Sequence, residues 1–162
     1  MNYGHGQLSL GFIAIFTAMQ LCPNLKAQNS RSSLASLAGI TTLCVVIEDL
    51  PPGAVRLGLT KDTLQTDVEL KLRLAGMRVI ASNQEALYVN VNTTADSAAV
   101  NASIEVLQPM ALVRAPRIVL GAATTWSIGK LATFHTAGQV RDLVKDEVDT
   151  FLNDWLTVNP KN

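Results

Sequence analysis

The segment from Gly121 to Leu131, GAATTWSIGKL, carries the glycines and the Gly-Lys pair typical of phosphate-binding loops. A P-loop needs four residues between its glycines and a serine or threonine after the lysine, so that backbone N–H groups surround the phosphates and a hydroxyl binds magnesium. Here seven residues separate Gly121 from Gly129, and Leu131 follows Lys130. Alternating residues predict instead a β-strand over 118–129 with one buried face.

Nucleophilic and metal chemistry would depend on very few side chains. If an N-terminal leader is removed, His135 and Cys44 are the remaining histidine and cysteine. His135 precedes a predicted helix and has no G-x-S-x-G elbow nearby, and Cys44 lies within an apolar strand, where a small buried side chain is favoured over a reactive thiol. A zinc site needs three or four clustered ligands, which the sequence lacks. We therefore predict no metal and no cofactor, and a hydrolase using Glu105 or His135 remains the least favoured alternative.

The N-terminal segment indicates export. Residues Leu8–Cys22 form a charge-free apolar run, and Ala27 stands at a plausible cleavage position, which predicts a signal peptide over 1–27. A retained membrane anchor is the alternative, although the run is shorter than the roughly 20 residues that a span needs. The predicted organisation is a signal peptide, a flexible Ser-rich lead-in over 28–39 and a single domain over 40–162, in the periplasm or secreted.

Overall composition favours a packed domain without a nucleic-acid partner. Hydrophobic residues make up 48% of the 162 residues, enough for a core. Lys plus Arg and Asp plus Glu number 13 each, so the basic excess expected of a nucleic-acid-binding protein is missing. Contact with a membrane is expected only through the N-terminal segment.

The rest of the chain predicts an α+β fold. A β-branched run over 43–47 predicts a strand buried on both faces, and Pro-Pro-Gly at 51–53 predicts a turn. A helix follows over 60–75, with Thr60 as its N-terminal cap and Asp67–Lys71 and Glu69–Arg73 as charge pairs four residues apart. Four further strands are predicted at 77–82, 86–94, 99–114 and 118–129.

Two positions in the last strands have specific consequences. Pro109 cannot donate a backbone hydrogen bond, which predicts a sheet edge or a bulge at that point of the fourth strand. Trp126 becomes a contact residue if it is exposed beside the edge and a core residue if the last helix covers it, and we favour the core.

The last helix is the clearest element. It starts at Thr136, which stands at capping-box spacing from Gln139, and it carries one apolar stripe that includes Phe151 and Trp155. The predicted order is β-α-β-β-β-β-α. Two helices on one face of a mixed five-stranded sheet form a two-layer sandwich.

Several stretches of the chain resemble known proteins. The segments VVIEDL, GLTKDTLQTDVELKLRLAGMRV, LYVNV, TTW and VDTFLNDWLTVNP are similar to those of a group of small exported bacterial proteins of unknown function. The strand-helix-strand start, with LKLRLAGMRV passing from helix to strand, resembles in pattern the N-terminal domain of the periplasmic TolB protein and similar envelope-assembly modules. The resemblance implies an α/β envelope protein and assigns no catalytic or ligand residue.

These observations favour a non-enzymatic module that binds another envelope or secreted protein, with an exposed edge strand as the docking element. The candidate contact residues are Trp126, Glu105 and Arg114. A binder of a lipid or small ligand, with a pocket between sheet and helices, is the alternative that the apolar composition leaves open.

Overall fold

The computed structural model describes residues 33–94, 99–114 and 117–160, without the side chains of residues 112–120. The predicted signal peptide and residues 28–32 of the predicted lead-in lie outside this part of the chain. The described elements, in chain order, are β1 (Thr42–Ile47), α1 (Pro52–Arg56), α2 (Lys61–Leu74), β2 (Arg78–Val79), β3 (Ala86–Thr93), β4 (Ala99–Arg114), β5 (Arg117–Thr133) and α3 (Ala137–Val158).

The strands form one mixed sheet in the order β2-β1-β3-β4-β5. Strand β1 pairs in parallel with β2 and with β3, whereas β3, β4 and β5 are successive antiparallel strands. Both long helices, α2 and α3, lie on one face of this sheet and pack against each other. The predicted α+β architecture and its order of strands and long helices are confirmed.

Local sequence signals define both long helices. The Thr60 side chain accepts a hydrogen bond from the Thr63 N–H at 3.2 Å, which caps α2, and Gly76 follows the helix with a φ of +93° that favours glycine. At the start of α3, Thr136 and Gln139 form the predicted capping box, with hydrogen bonds of 3.3 and 3.2 Å.

The core lies between the sheet and the two helices. Alternate residues of β3 and β4 point toward the helices, and Val89 and Ile104 are fully buried there. From α3, Phe151 is 0% exposed and its ring meets that of Trp126 edge-on, with centroids 5.3 Å apart. The indole N–H of Trp155 donates to the Ile40 carbonyl at 2.8 Å, which satisfies the polar atom of this buried ring.

Three local predictions differ from the structure. Strand β1 is not buried on both faces, because Val46 is 39% exposed on the face that has no helix. Pro-Pro-Gly starts a short helix, α1, rather than forming a turn alone, since proline suits a first helical position and Ala54, within this helix, is buried. The predicted Asp67–Lys71 pair is replaced by inter-helix contacts, in which Arg141 of α3 donates two hydrogen bonds to Asp67.

Residues 33–39 are part of the predicted flexible lead-in, but in the structure they contact the domain. Leu37 is 0% exposed. The Asn159 side chain, just after α3, accepts from the Gly39 N–H at 2.7 Å and donates to the Leu37 carbonyl at 2.9 Å. These contacts attach this part of the chain to the end of the last helix.

Candidate functional site

The most distinctive surface is a two-stranded extension of the sheet. Strand β3 stops pairing with β4 at Ala86, opposite Leu107, whereas β4 and β5 continue together until Arg114 pairs with Arg117. We call Gln108–Arg114 and Arg117–Ala123 the arm. Seven residues at about 3.4 Å each give it a length of roughly 20 Å.

The arm begins at a change of register. Val106 pairs with Trp126, but Leu107 pairs with Thr124, so Thr125 is an extra residue on β5. Such a bulge bends a strand and increases its twist. The bulge therefore coincides with the point at which the hairpin leaves the part of the sheet that the helices cover.

Pro109 lies in the arm, where β4 has β5 on one side and no described strand on the other. The Ala99 carbonyl accepts from Thr94 on the β3 side, and backbone direction alternates along a strand, so Pro109 also presents its backbone to the β3 side. Its missing N–H therefore faces the free edge, and the pairing of Pro109 with Ala122 in the β4–β5 ladder is kept. The predicted edge position of Pro109 is confirmed.

The arm is apolar and nearly uncharged. Between Gln108 and Ala123 its charged residues are two arginines, Arg114 and Arg117, which pair in the β4–β5 ladder at the tip. Met110 is 40% exposed. A shallow groove of about 530 Å³ runs beside it, lined by Gln84, Pro109, Met110, Ala111, Gly121 and Ala122. Gly121, from the segment that resembled a phosphate loop, thus lines an apolar groove within a strand.

Trp126 is a core residue. It is 4% exposed beneath α3, and its indole N–H donates to the Asp154 carboxylate of that helix at 2.9 Å. This is the preferred of its two predicted positions, and it removes Trp126 from the contact surface.

Glu105 lies on the sheet face opposite the helices, half-buried, and accepts a hydrogen bond from the Thr124 hydroxyl at 2.8 Å. Its cross-strand neighbour is Tyr88. The Glu48 carboxylate, as hydrogen-bond acceptor, raises the pKa of Tyr88, and the negative charges of Glu105 and Asp49 add to this effect. The cluster is acidic and its tyrosine stays neutral.

The structure does not bring the candidate hydrolase residues together. His135 is exposed in the loop after β5, beyond the pairing of Thr133 with Ala99, whereas Glu105 lies six positions further along β4, roughly 20 Å away. Cys44 is buried in β1, and its thiol faces the Asn83 carbonyl at 3.7 Å. Arg114, the third candidate contact residue, ends β4 at the tip of the arm, and its side chain lies outside the description.

One unusual residue of the core was not predicted from the sequence. Glu147 of α3 is 2% exposed, and neither of its carboxylate oxygens has a hydrogen-bond partner. Loss of hydration raises the pKa of Glu147 to about 7, against the opposing effect of the positive charge of Lys130. The spacing Val140, Val144, Glu147, Phe151 was the available signal, because it places Glu147 within the apolar stripe rather than among the solvated charges.

The described residues offer no grouping of three or more His, Cys, Asp or Glu side chains that could hold a metal ion. Within the same part of the chain, no helix combines the length and apolar character needed to cross a membrane.

Comparison with known proteins gives structural likenesses but no sequence family. No protein-family model matches the chain, and no curated protein matches it in sequence. The chain is similar to the crystal structure of a minor lipoprotein from Acinetobacter baumannii, with 13% identity, a TM-score of 0.31, and coverage of 72% of this chain and 90% of that one. At this level of likeness neither fold nor function can be transferred.

Proposed function

We propose that the protein is a non-enzymatic binding module of the bacterial cell envelope, and that the arm is the element that contacts its protein partner. The observation that carries the proposal is the arm itself, a hairpin that leaves the covered sheet and in which β4 has no described strand on its outer side. A two-stranded hairpin is marginal in water on its own, and an exposed strand edge is a template for an added strand. A partner strand would satisfy the free N–H and C=O groups and cover the apolar side chains.

The envelope location rests on the apolar N-terminal segment and on the resemblance to exported proteins. The non-enzymatic assignment is supported by the separation of Glu105 from His135 and by the burial of Cys44. A lipid or small ligand between sheet and helices is less well supported, because facing side chains such as Val89, Ile104 and Phe151 fill that space with 0% exposure.

Site-specific photo-crosslinking tests the proposal. A photoreactive amino acid replaces Met110 on the arm in one variant and Leu74 of α2 in a second, and both full chains are expressed in an envelope-containing bacterial host. Leu74 is the matched control because it is an apolar residue with 76% exposure, far from the arm in sequence. We expect discrete protein crosslinks from position 110 and none from position 74.

A third variant connects the crosslinks to strand pairing. Ala111→Pro removes an N–H that faces the free edge while leaving the β4–β5 ladder intact, so it should abolish the crosslinks without lowering the melting temperature. Equal crosslinking from positions 110 and 74, or crosslinks that survive Ala111→Pro, would contradict the proposal.

A further inference from the structure

The contact between α3 and β5, which we call the seam, contains two acids in different states. Asp154 of α3 accepts a hydrogen bond from the indole N–H of Trp126 on β5 at 2.9 Å. Glu147 lies two helical turns earlier on the same flank of α3, where the charge of Lys130 on β5 acts on it, and neither of its carboxylate oxygens has a hydrogen-bond partner. The two acids are about 10 Å apart along the helix, and Trp126 and Lys130 are about 14 Å apart along the strand, so both contacts lie on one line.

The outer side of the seam is uncovered. Strand β5 ends the order of strands in the described sheet, so no described strand lies beyond it. The opposite flank of α3 is held by α2, because Arg141 donates two hydrogen bonds to Asp67 and Lys71 donates one to Asp149. A small rotation of α3 about its α2 side would therefore open the seam and bring water to Glu147.

The surroundings of Glu147 favour its neutral form. The side chain is 2% exposed, and an ionised carboxylate without hydrogen-bond donors is costly to bury, whereas the protonated acid is not charged. Among the described residues, two charges act on it: Lys130 favours the anion, and Asp146, the preceding residue of α3, opposes it. On the β4 side of Lys130, Ala102 and Ile104 face the helices and do not titrate.

We infer that the seam between α3 and β5 is a pH-sensitive closure, which stays shut while Glu147 is protonated and opens on the β5 side when Glu147 ionises. The neutral carboxyl can remain among apolar side chains. The carboxylate gains water and the ammonium group of Lys130 only when the seam opens, and opening exposes Leu143 of α3 and Ile128 of β5. Neither the seam nor its opening depends on the binding role proposed for the arm.

The sign of the pH dependence follows from proton binding. The pKa of Glu147 is about 7 in the closed seam and has its ordinary value of 4.5 when the side chain is hydrated, so the closed state binds the proton more tightly. The contribution of Glu147 to closure is fully present below pH 4.5 and is lost as the pH rises through about 7. The opening constant should therefore rise roughly 70-fold between pH 5 and pH 8.

Thiol labelling on the two flanks of α3 tests this closure. Leu143→Cys places a thiol one turn before Glu147, on the seam flank, at a position that is 9% exposed. Leu152→Cys is the matched control, because it is 8% exposed and lies on the flank that faces α2. Both are made in a full chain that carries Cys22→Ser and Cys44→Ala. A pyridyl disulfide reagent is used at pH 5 and pH 8, and each rate is divided by that of the urea-unfolded chain at the same pH.

At pH 8 the Leu143→Cys chain should react at least about tenfold faster than the Leu152→Cys chain, because a local opening exposes one flank only. Its relative rate should rise roughly 70-fold from pH 5 to pH 8. Adding Glu147→Gln should remove most of that rise. Adding Lys130→Met should extend the rise above pH 7, because the closed seam then lacks the cation that favours the carboxylate.

Equal rates from positions 143 and 152 at pH 8 would show that only global unfolding exposes the seam, and would overturn the inference. A rate at position 143 that Glu147→Gln does not slow would overturn it as well. Ile128→Cys repeats the measurement from the β5 side without altering α3, so a variant of α3 that fails to fold leaves a second test. A relative rate at position 128 that is flat from pH 5 to pH 8 contradicts the closure.

Discussion

The part of the sheet beneath the helices and the arm are built from the same two strands, yet they have opposite surroundings. In Ala99–Leu107, alternate side chains of β4 such as Ala102 and Ile104 are fully buried against α3. In Gln108–Arg114 the strand continues beyond β3, and Met110 is 40% exposed. Burial decides which half stabilises the fold, and the other half, which has no described strand on its outer side, is the one proposed for binding.

The sharpest test of this contrast is the truncation of a large buried side chain in the covered half. Phe151→Ala removes a ring that is 0% exposed and packs on Trp126, so we expect the free energy of unfolding to fall by about 3–5 kcal/mol. Urea denaturation followed by tryptophan fluorescence measures this change. A loss below about 1 kcal/mol would mean that the interface of α3 with the sheet is not the stabilising core.

A second prediction concerns the buried carboxyl group of Glu147 in the covered half. The pKa of Glu147 is raised in the folded state, from its ordinary 4.5 to about 7, so the folded chain binds the proton more tightly. The contribution of Glu147 to stability is therefore fully present below pH 4.5 and is lost as the pH rises through about 7, with a total change of about 3 kcal/mol. Glu147→Gln should be more stable than wild type by that order at pH 8 and nearly equal to it at pH 4.

Asp146→Asn is the matched control for Glu147→Gln, because Asp146 is the exposed neighbouring acid on the same helix. It should change the pH dependence of denaturant unfolding only slightly, because the charge of Asp146 is the smallest of the effects on the pKa of Glu147. A Glu147→Gln profile parallel to wild type from pH 4 to pH 8 would show that this carboxylate is solvated in the folded protein.

A third, smaller effect is expected at the start of α3. Thr136→Ala removes the oxygen that accepts from the Gln139 N–H, and loss of such a cap costs about 1 kcal/mol. Thr136→Ser retains the hydroxyl and serves as the control. Thermal melting monitored by circular dichroism should order the proteins as wild type, Ser and Ala, and an Ala variant as stable as wild type would contradict the role of this cap.

The smallest effect is expected in the arm. Met110→Ser should change the free energy of unfolding by less than about 0.5 kcal/mol, because the Met110 side chain is 40% exposed and lies outside the part of the sheet that the helices cover. Denaturation under the conditions used for Phe151→Ala gives a direct comparison of the two regions. A destabilisation similar to that of Phe151→Ala would show that the arm belongs to the folding core and would remove the distinction.

Much of the covered half could be predicted from local patterns. The alternation in β3 and the apolar stripe of α3 each indicate which side chains are buried. The capping residues Thr60 and Thr136 indicate where the two long helices begin. The position of Trp126 followed from the same alternation. Each of these signals depends on a few neighbouring residues, which the sequence alone provides.

The arm and Glu147 depended on relations between elements. The predicted fourth strand, 99–114, was longer than the third, 86–94, and this mismatch was the available sign that part of it would lack a neighbour. β4 extends past β3 after Leu107, because the register places Leu107 opposite Ala86. This register follows from how the strands pair and cannot be derived from composition. The burial of Glu147 depends on how far β5 extends beneath α3, which the sequence does not state.

The contact between Asn159 and residues 37–39 has a consequence for the order of events during biosynthesis. The Asn159 side chain joins the segment before β1 to the end of α3. Helix α3 also contributes Phe151 and Trp155 to the core. A nascent chain that has not yet released residues 137–159 therefore leaves one face of its sheet uncovered. Closure of the domain must therefore wait until synthesis has passed Asn159.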